Sequence, residues 1–335
     1  MNKVIFILLF ISFYCIGCAD EKKTSCIYIN TKGENVFNKE FVRGDSFSEG
    51  LAYIVSGGKL GYIDFKGNVV IKPQYDGGYR FNGGVAPVKV NNKWGMINKN
   101  NEFIVEPMYQ NIMPLSEGPV VVMENLKCGF INRGGGLIIS PQFKLVFPFT
   151  EGLAMFKEAH HKWGFIDQKG KVVIEPQYEE VIEFKCGVAS VKKGGLYGFI
   201  NRNNEWVIKP KYEFASFFSE GLAYVKVGGK VGYINKEGEF IIQPKYEAGS
   251  DFEGGTAPIR INNKWGIINN KGEYIIKPQY DLILNLYNDV AFYRKNKKWG
   301  LINNYNKVIV EPKYDRITPF SEGFAVVYEH FPSVK

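Results

Sequence analysis

The chain of 335 residues is 45% hydrophobic and 15% aromatic, with 37 glycines and a formal charge of +8. This composition excludes a disordered tail and a collagen-like fibre, and it requires a sizeable core. Three histidines against 5 Trp, 20 Tyr and 26 Phe point away from histidine-based chemistry and toward a β-rich binding or structural protein.

Residues 1–17 begin with Met1-Asn2-Lys3 and continue into an apolar run, Val4 to Tyr14, before Cys15-Ile16-Gly17. The run is too short to span a bilayer, which needs about 20 residues, and its positive start fits a secretory signal. Gly17-Cys18 resembles the bacterial lipoprotein signal, in which a small residue precedes a cysteine that becomes the acylated first residue. The resemblance implies lipidation at Cys18. Cys15 stands where such signals usually carry an aliphatic residue, so unlipidated secretion is the alternative. Cleavage after Gly17 removes Lys3 and leaves 41 Lys and Arg against 34 Asp and Glu, a charge of +7. Residues 18–24 then read as a tether, and the expected location is the bacterial cell envelope. Of the five cysteines, Cys26, Cys128 and Cys186 remain. An odd number with no metal-like spacing argues against a disulfide framework and for small buried hydrophobes.

From residue 25 to the end the chain repeats. Glycine-centred motifs recur at Gly61, Gly95, Gly129, Gly164, Gly198, Gly232, Gly266 and Gly300, a step of 34 residues broken once by 35. Prolines from Pro73 to Pro312 keep the same step, each followed two places later by Tyr or Phe, and Phe-Ser-Glu-Gly variants supply a third marker. Regularity of this kind defines a repeat architecture of about nine units. The motifs Trp94-Gly95-Met96-Ile97 and Trp163-Gly164-Phe165-Ile166, with Pro-x-Tyr beyond them, resemble the WG-repeat family. That resemblance implies a bacterial repeat protein and transfers no catalytic residue.

Turn chemistry predicts how each unit folds. Pairs such as Gly57-Gly58 and Asn91-Asn92 mark two-residue hairpins, because both positions tolerate positive φ. The turn after the motif opens with Asn or Asp and carries Gly or Asn three places on, a pattern that closes an Asx turn through the left-handed conformation. Each unit should therefore be a three-stranded antiparallel meander, with Pro73 ending the third strand of its unit. A turn at 57 and 58 sets residue 55 opposite 60, 54 opposite 61, 53 opposite 62 and 52 opposite 63. One face is then small and aliphatic and suits a neighbour. The other holds the Trp slot, with Lys89 opposite Trp94, Lys192 opposite Tyr197, Arg260 opposite Trp265 and Arg294 opposite Trp299, which favours a cation over each ring.

The expected fold is an all-β open array of about nine such meanders, resembling a β-solenoid. The alternative is a closed propeller-like ring, in which the opening strand near Cys26 pairs with the closing strand Gly323 to Tyr328.

For function, the basic aromatic stripe reads as cations capping their own rings, so no nucleic-acid partner is expected. His160-His161 sits in the single one-residue insertion and reads as a solvated loop. Glu49, Glu117, Glu151, Glu220 and Glu322 recur with the repeat and are therefore structural, since a catalytic pair should occur once. The variable column Tyr53, Pro87, Val121, Met155, Ser190, Tyr224, Pro258, Phe292 and Val326 reads as a tuned binding surface. The leading reading is a non-catalytic exported lipoprotein acting as a protein-interaction scaffold, with neither cofactor nor metal. The alternatives are an envelope glycan or peptidoglycan binder working through the aromatic slots and, more remotely, a hydrolase.

Overall fold

The computed structural model describes residues 25–114, 116, 118–157 and 161–329. Among these residues there is no helix, and the strands form nine small antiparallel sheets. Blade 1 contains Arg43–Gly44, Ala52–Ser56, Lys59–Ile63 and Val69–Tyr75, paired in that order. Blades 2 to 8 repeat the pattern. Blade 9 is assembled from both ends of the repeat region: Arg316–Ile317 pairs with Ala325–Glu329, which pairs with Ser25–Ile29.

This last pairing overturns the open array. Cys26 lies opposite Tyr328 and Ile29 opposite Ala325, so the first described strand completes the last blade and the nine sheets form a closed β-propeller. Closure removes the two unpaired blade faces that an open stack would expose. The joint is also the most aromatic seam among the described residues. Phe47 packs against Phe324 with ring centroids 5.0 Å apart, and Tyr28 against Phe47 at 5.4 Å.

The hairpin register is as the turns dictate, with Ala52, Tyr53, Ile54 and Val55 opposite Ile63, Tyr62, Gly61 and Leu60. Gly57 and Gly58 have φ of 56° and 72°, and Asn91 and Asn92 have 47° and 64°. The Asx turns form as well, with Asp64 Oδ1 accepting the Lys66 and Asn68 amides at 2.9 and 2.8 Å.

Two features of the meander differ from expectation. A fourth strand of two residues precedes each hairpin, as in Gly77–Gly78 of blade 2, and it is too short to show a period in sequence. Nor does Pro73 end its strand, which continues to Tyr75 through a bulge. Leu60 pairs with Tyr75 but Tyr62 with Ile71, so Lys72-Pro73-Gln74 loops over Gly61. A proline is tolerated there because a bulge asks no ladder donation from it. The same bulge explains the invariant glycine. A Cβ on Gly61 would lie 2.6 Å from the Pro73 nitrogen and 2.8 Å from the Lys72 carbonyl carbon, and the other seven motif glycines meet their own strands in the same way. The glycine thus admits its own blade's bulge rather than a neighbouring blade.

Both faces of every blade are buried, each against a different neighbour. Tyr53, Leu60, Tyr62 and Ile71 of blade 1 pack on Ala86, Val88 and Ile97 of blade 2. Large residues thus meet small ones, and the same contact closes the ring where Val326 and Tyr328 of blade 9 meet Ala52, Ile54 and Ile63 of blade 1. Each fully buried large side chain contributes about 1.5–3 kcal/mol. The variable column consequently belongs to the seams. Tyr53, Val121, Met155, Ser190, Phe292 and Val326 are buried, and the half-buried Tyr224 stacks on Phe214 at 5.3 Å. Its variation tunes blade packing and presents no binding surface.

Candidate functional site: a belt of turns

The Phe-Ser-Glu-Gly turns lie between the two-residue strand and the first hairpin strand of each blade, and they are bonded blade to blade. The backbone at the glutamate and glycine positions has positive φ, as in Glu49 at 54° and Gly50 at 82°. That conformation turns two consecutive amides the same way and makes a small anion-accepting nest. The carboxylate of Glu49 accepts from the amides of Gly83 and Gly84 in blade 2. Glu151 accepts from Cys186 and Gly187 at 2.7 and 2.9 Å, and Glu220 from Gly254 and Gly255 at 2.8 and 2.9 Å. Glu322 of blade 9 accepts from Glu49 and Gly50 at 2.8 and 3.0 Å, which carries the belt across the closure. Ser48, Ser219 and Ser321 add hydroxyl bonds to the carbonyls of Phe81, Phe252 and Phe47.

A cation from the next blade reinforces some joints. Lys99 lies 3.5 Å from Glu49 and donates to its carbonyl, and Arg202 stands in the same relation to Glu151 at 3.8 Å. Partial burial pushes the Glu49 carboxyl up, but the Gly84 and Gly83 amides and the Lys99 ammonium outweigh it and hold the group below the ordinary glutamate range. Four of the five recurring glutamates are therefore occupied as structural acceptors, and Glu117 lies outside the described residues.

The belt has gaps. Gly83, Cys186, Gly254 and Asn288 stand where other turns carry glutamate. Cys186 is exposed there with φ of 57°, a correction to its reading as a buried hydrophobe, while Cys26 and Cys128 are buried and all three are free thiols. Burial pushes the Cys26 thiol up to about 12, so it is inert at neutral pH. Two cavities open along the belt. One of about 560 Å³ lies over the turns of blades 3 to 5, beside Gly118, Phe149 and Phe184. The other, about 330 Å³, lies between Gly254 and Asn288.

The aromatic slots are largely self-satisfied. Lys192 lies 5.5 Å over Tyr197, Arg260 6.0 Å over Trp265 and Arg294 5.6 Å over Trp299, while Lys157 covers Trp163 at 5.1 Å. Lys89 does pair with Trp94 across the hairpin, but the indole stacks on Tyr79 at 5.0 Å. All four tryptophans of the motif are half-buried. His161 is exposed in its hairpin turn, and His160 lies outside the described residues, as does the segment holding Cys18. Among the described residues no three His, Cys, Asp or Glu side chains converge as a metal site.

A surface absent from the sequence reading lies at the edge of each blade. The seven-residue strand ends the sheet order in blades 1 to 8, and its first residues are apolar and exposed: Val69 at 51%, Leu137 at 60% and Ile241 at 48%. The exposed pairs Val69-Val70, Phe103-Ile104 and Leu137-Ile138 recur at the repeat interval. In sequence they resemble any strand interior, and only the pairing order makes them an edge.

These features define a nine-bladed β-propeller whose blades are laced together through their turns. The chain belongs to the WG containing repeat family, which matches it in nine copies from residue 28 to 329. Among solved structures it is similar to a eukaryotic initiation factor, with a TM-score of 0.60 and 8% identity over 91% of this chain and 98% of the other. BamB from Moraxella catarrhalis aligns with a TM-score of 0.48 and 10% identity over 92% of this chain and 99% of that one. The computationally designed Ika8 protein gives 0.49 and 10% over 77% and 95%. No curated protein matches in sequence.

Proposed function

We propose that this propeller is a non-catalytic interaction scaffold, held in the bacterial cell envelope by a lipid on Cys18. The observation that carries the scaffold reading is the repeated apolar edge. The outer strand leaves one backbone edge unpaired beside two exposed apolar residues in blades 1 to 3 and beside one in blades 4 to 8, a surface suited to a partner that adds a strand or packs an apolar face. The bulged proline half of the same strand, preceded by Lys or Glu in six blades and by Ser140 or Gln243 in the other two, protects it from pairing along its full length. The recurring acids support the non-catalytic reading, because those with a described role cap turn amides. The aromatic slots lend no support to a glycan-binding role, since their rings are half-buried under their own cations.

The test is in-cell cross-linking of wild-type protein and of a variant carrying Ile104→Lys, Ile138→Lys and Ile241→Lys. Partners cross-linked to wild type should be lost from the variant while its thermal transition is kept. An unchanged set of cross-linked partners would contradict the scaffold reading. For the anchor, Cys18→Ala should abolish labelling by an alkyne fatty acid and release the protein from membranes. Persistent labelling would exclude Cys18 as the lipidated residue.

A further inference from the structure

We propose that the gap between blades 7 and 8 is a binding pocket for a single neutral sugar ring. At the preceding joint Glu220 fills the Gly254 and Gly255 amide pair. Gly254 has no side chain to pass on to blade 8, so the equivalent pair, the amides of Asn288 and Asp289, is left open. Both residues have positive φ, 46° and 64°, which gives their amides the same nest geometry as those that receive glutamates elsewhere. Among the described residues nothing accepts from them. The position that supplies Lys99 or Arg202 at other joints holds Asn304, which turns to Asp289 Oδ1 at 2.9 Å. Carboxylate and cation are thus both missing from the joint where the cavity of about 330 Å³ opens. That volume lies at the lower end of the range of about 300–1,000 Å³ common to small-ligand sites.

The chemistry of the walls selects a hydroxyl over a charged acceptor. At the next joint the amide of Gly323 donates to a hydroxyl, Tyr287 OH, at 3.1 Å, so an uncharged oxygen can occupy a nest in this belt. The nest between blades 7 and 8 also carries its own carboxylate, because Asp289 stands where other turns have glycine. Glu253 lies in the turn opposite, held by the Asn285 amide at 3.0 Å. Asp289 in the cavity wall, with Glu253 beside it in the facing turn and no cation among the described lining residues, repels an anion but accepts hydroxyl protons. Ile275 and Leu286 supply an apolar wall for the C–H face of a ring. A ligand with hydroxyls to accept from two amides and donate to a carboxylate, plus one apolar face, is a saccharide. The site shares Ile275 with the edge strand of blade 7, but the cross-linking variant alters other blades, so its failure would leave the scaffold reading intact.

The experiment is saturation-transfer NMR and titration calorimetry with glucose, galactose and N-acetylglucosamine as neutral probes, and with galacturonate and glutamate as acidic ones. At least one neutral sugar should bind in the millimolar range and the acids should not. Gly254→Glu rebuilds the missing carboxylate over the Asn288 and Asp289 amides. Glu49, Glu151, Glu220 and Glu322 already hold the same backbone conformation, and nothing comes closer than 3.9 Å to a Cβ at Gly254. That variant should keep its fold and lose sugar binding by about tenfold or more. Asp289→Gly separates the two chemistries: a hydroxyl ligand loses its acceptor and binds more weakly, whereas an anion loses a repelling neighbour and binds more tightly. Absence of binding by all three neutral sugars, binding unaffected by Gly254→Glu, or neutral-sugar binding undiminished by Asp289→Gly would each overturn the proposal.

Discussion

The seam between blades 6 and 7 and the seam between blades 7 and 8 share one apolar pattern and differ in their polar links. In both, large residues of one blade pack on small residues of the next: Val231, Tyr233 and Ile242 on Ala257, Ile259 and Ile268, then Ile267 and Ile276 on Ala291 and Ile302. On the turn side, Glu220 ties blade 6 to blade 7, whereas Gly254 leaves the next joint open. Near the edge strand the order reverses. Tyr280 OH donates to Asn306 Oδ1 at 2.6 Å across the seam between blades 7 and 8, but Tyr246 OH is buried without a partner because Gly272 occupies the corresponding place. Of these two links, each seam keeps one and lacks the other. Apolar packing supplies the common stability of the ring, and the polar links can be dropped singly, which frees a joint for another use.

The largest expected effect tests what the two seams share. Gly266→Ala places a methyl 2.7 Å from the Pro278 nitrogen inside blade 7, and it should destabilise the protein by about 2–3 kcal/mol in denaturant titration. Gly232→Ala and Gly300→Ala should cost similar amounts, because the bulge recurs in each blade. A cost confined to one blade would break the equivalence.

Asp251 gives the filled seam a pH dependence. Burial pushes its carboxyl up to about 6, against a hydrogen bond with Ser216 and the charge of Lys185, and its Oδ1 has no partner. An unfolded aspartate titrates near about 3.9, so the folded state holds this proton more tightly. The contribution of Asp251 is therefore most favourable below about pH 4 and declines as pH rises toward about 6. Asp251→Asn should remove this decline and raise stability above pH 6 by roughly 1–2 kcal/mol. Parallel pH profiles for wild type and variant would exclude the effect.

Glu220→Ala makes the filled joint resemble the open one. It should cost about 1 kcal/mol, a modest value because the carboxylate is exposed. Amide exchange should quicken at Gly254 and Gly255 while the core strands stay protected. The smallest change sharpens the comparison from the other side. Gly272→Asn supplies the missing acceptor for Tyr246 OH at a φ of 81°, which asparagine tolerates, and should stabilise by about 0.5–1 kcal/mol. Contact with Ile242 at 3.3 Å sets the upper limit on the gain.

The sequence made local geometry legible because a turn is specified by adjacent residues. The Gly57-Gly58 pair fixed the hairpin register, and Asp64 with Gly67 fixed the turn that follows. The unpartnered strands near Cys26 and Tyr328 made closure visible as the alternative, but the choice between ring and open array was not legible, since it depends on a small rotation accumulated over nine blades. Pro73 misled for a physical reason: its missing donor ends a regular ladder but is harmless in a bulge. The burial of Tyr53 and its column depends on the neighbouring blade, which a single repeat cannot reveal. The glutamate column was correctly read as structural, but its acceptor role requires knowing that each turn faces the next one. The interruptions at Gly83, Cys186, Gly254 and Asn288 were visible in sequence and were the available sign of the open joints.

The central claim is a ring closed by strand Ser25–Ile29 on strand Ala325–Glu329. Electron-microscopy class averages of the purified protein test it most directly. Closed particles with nine blades are predicted, opening or losing regular shape when residues 25–29 are deleted. An open arc or curved rod in the wild-type protein would contradict it.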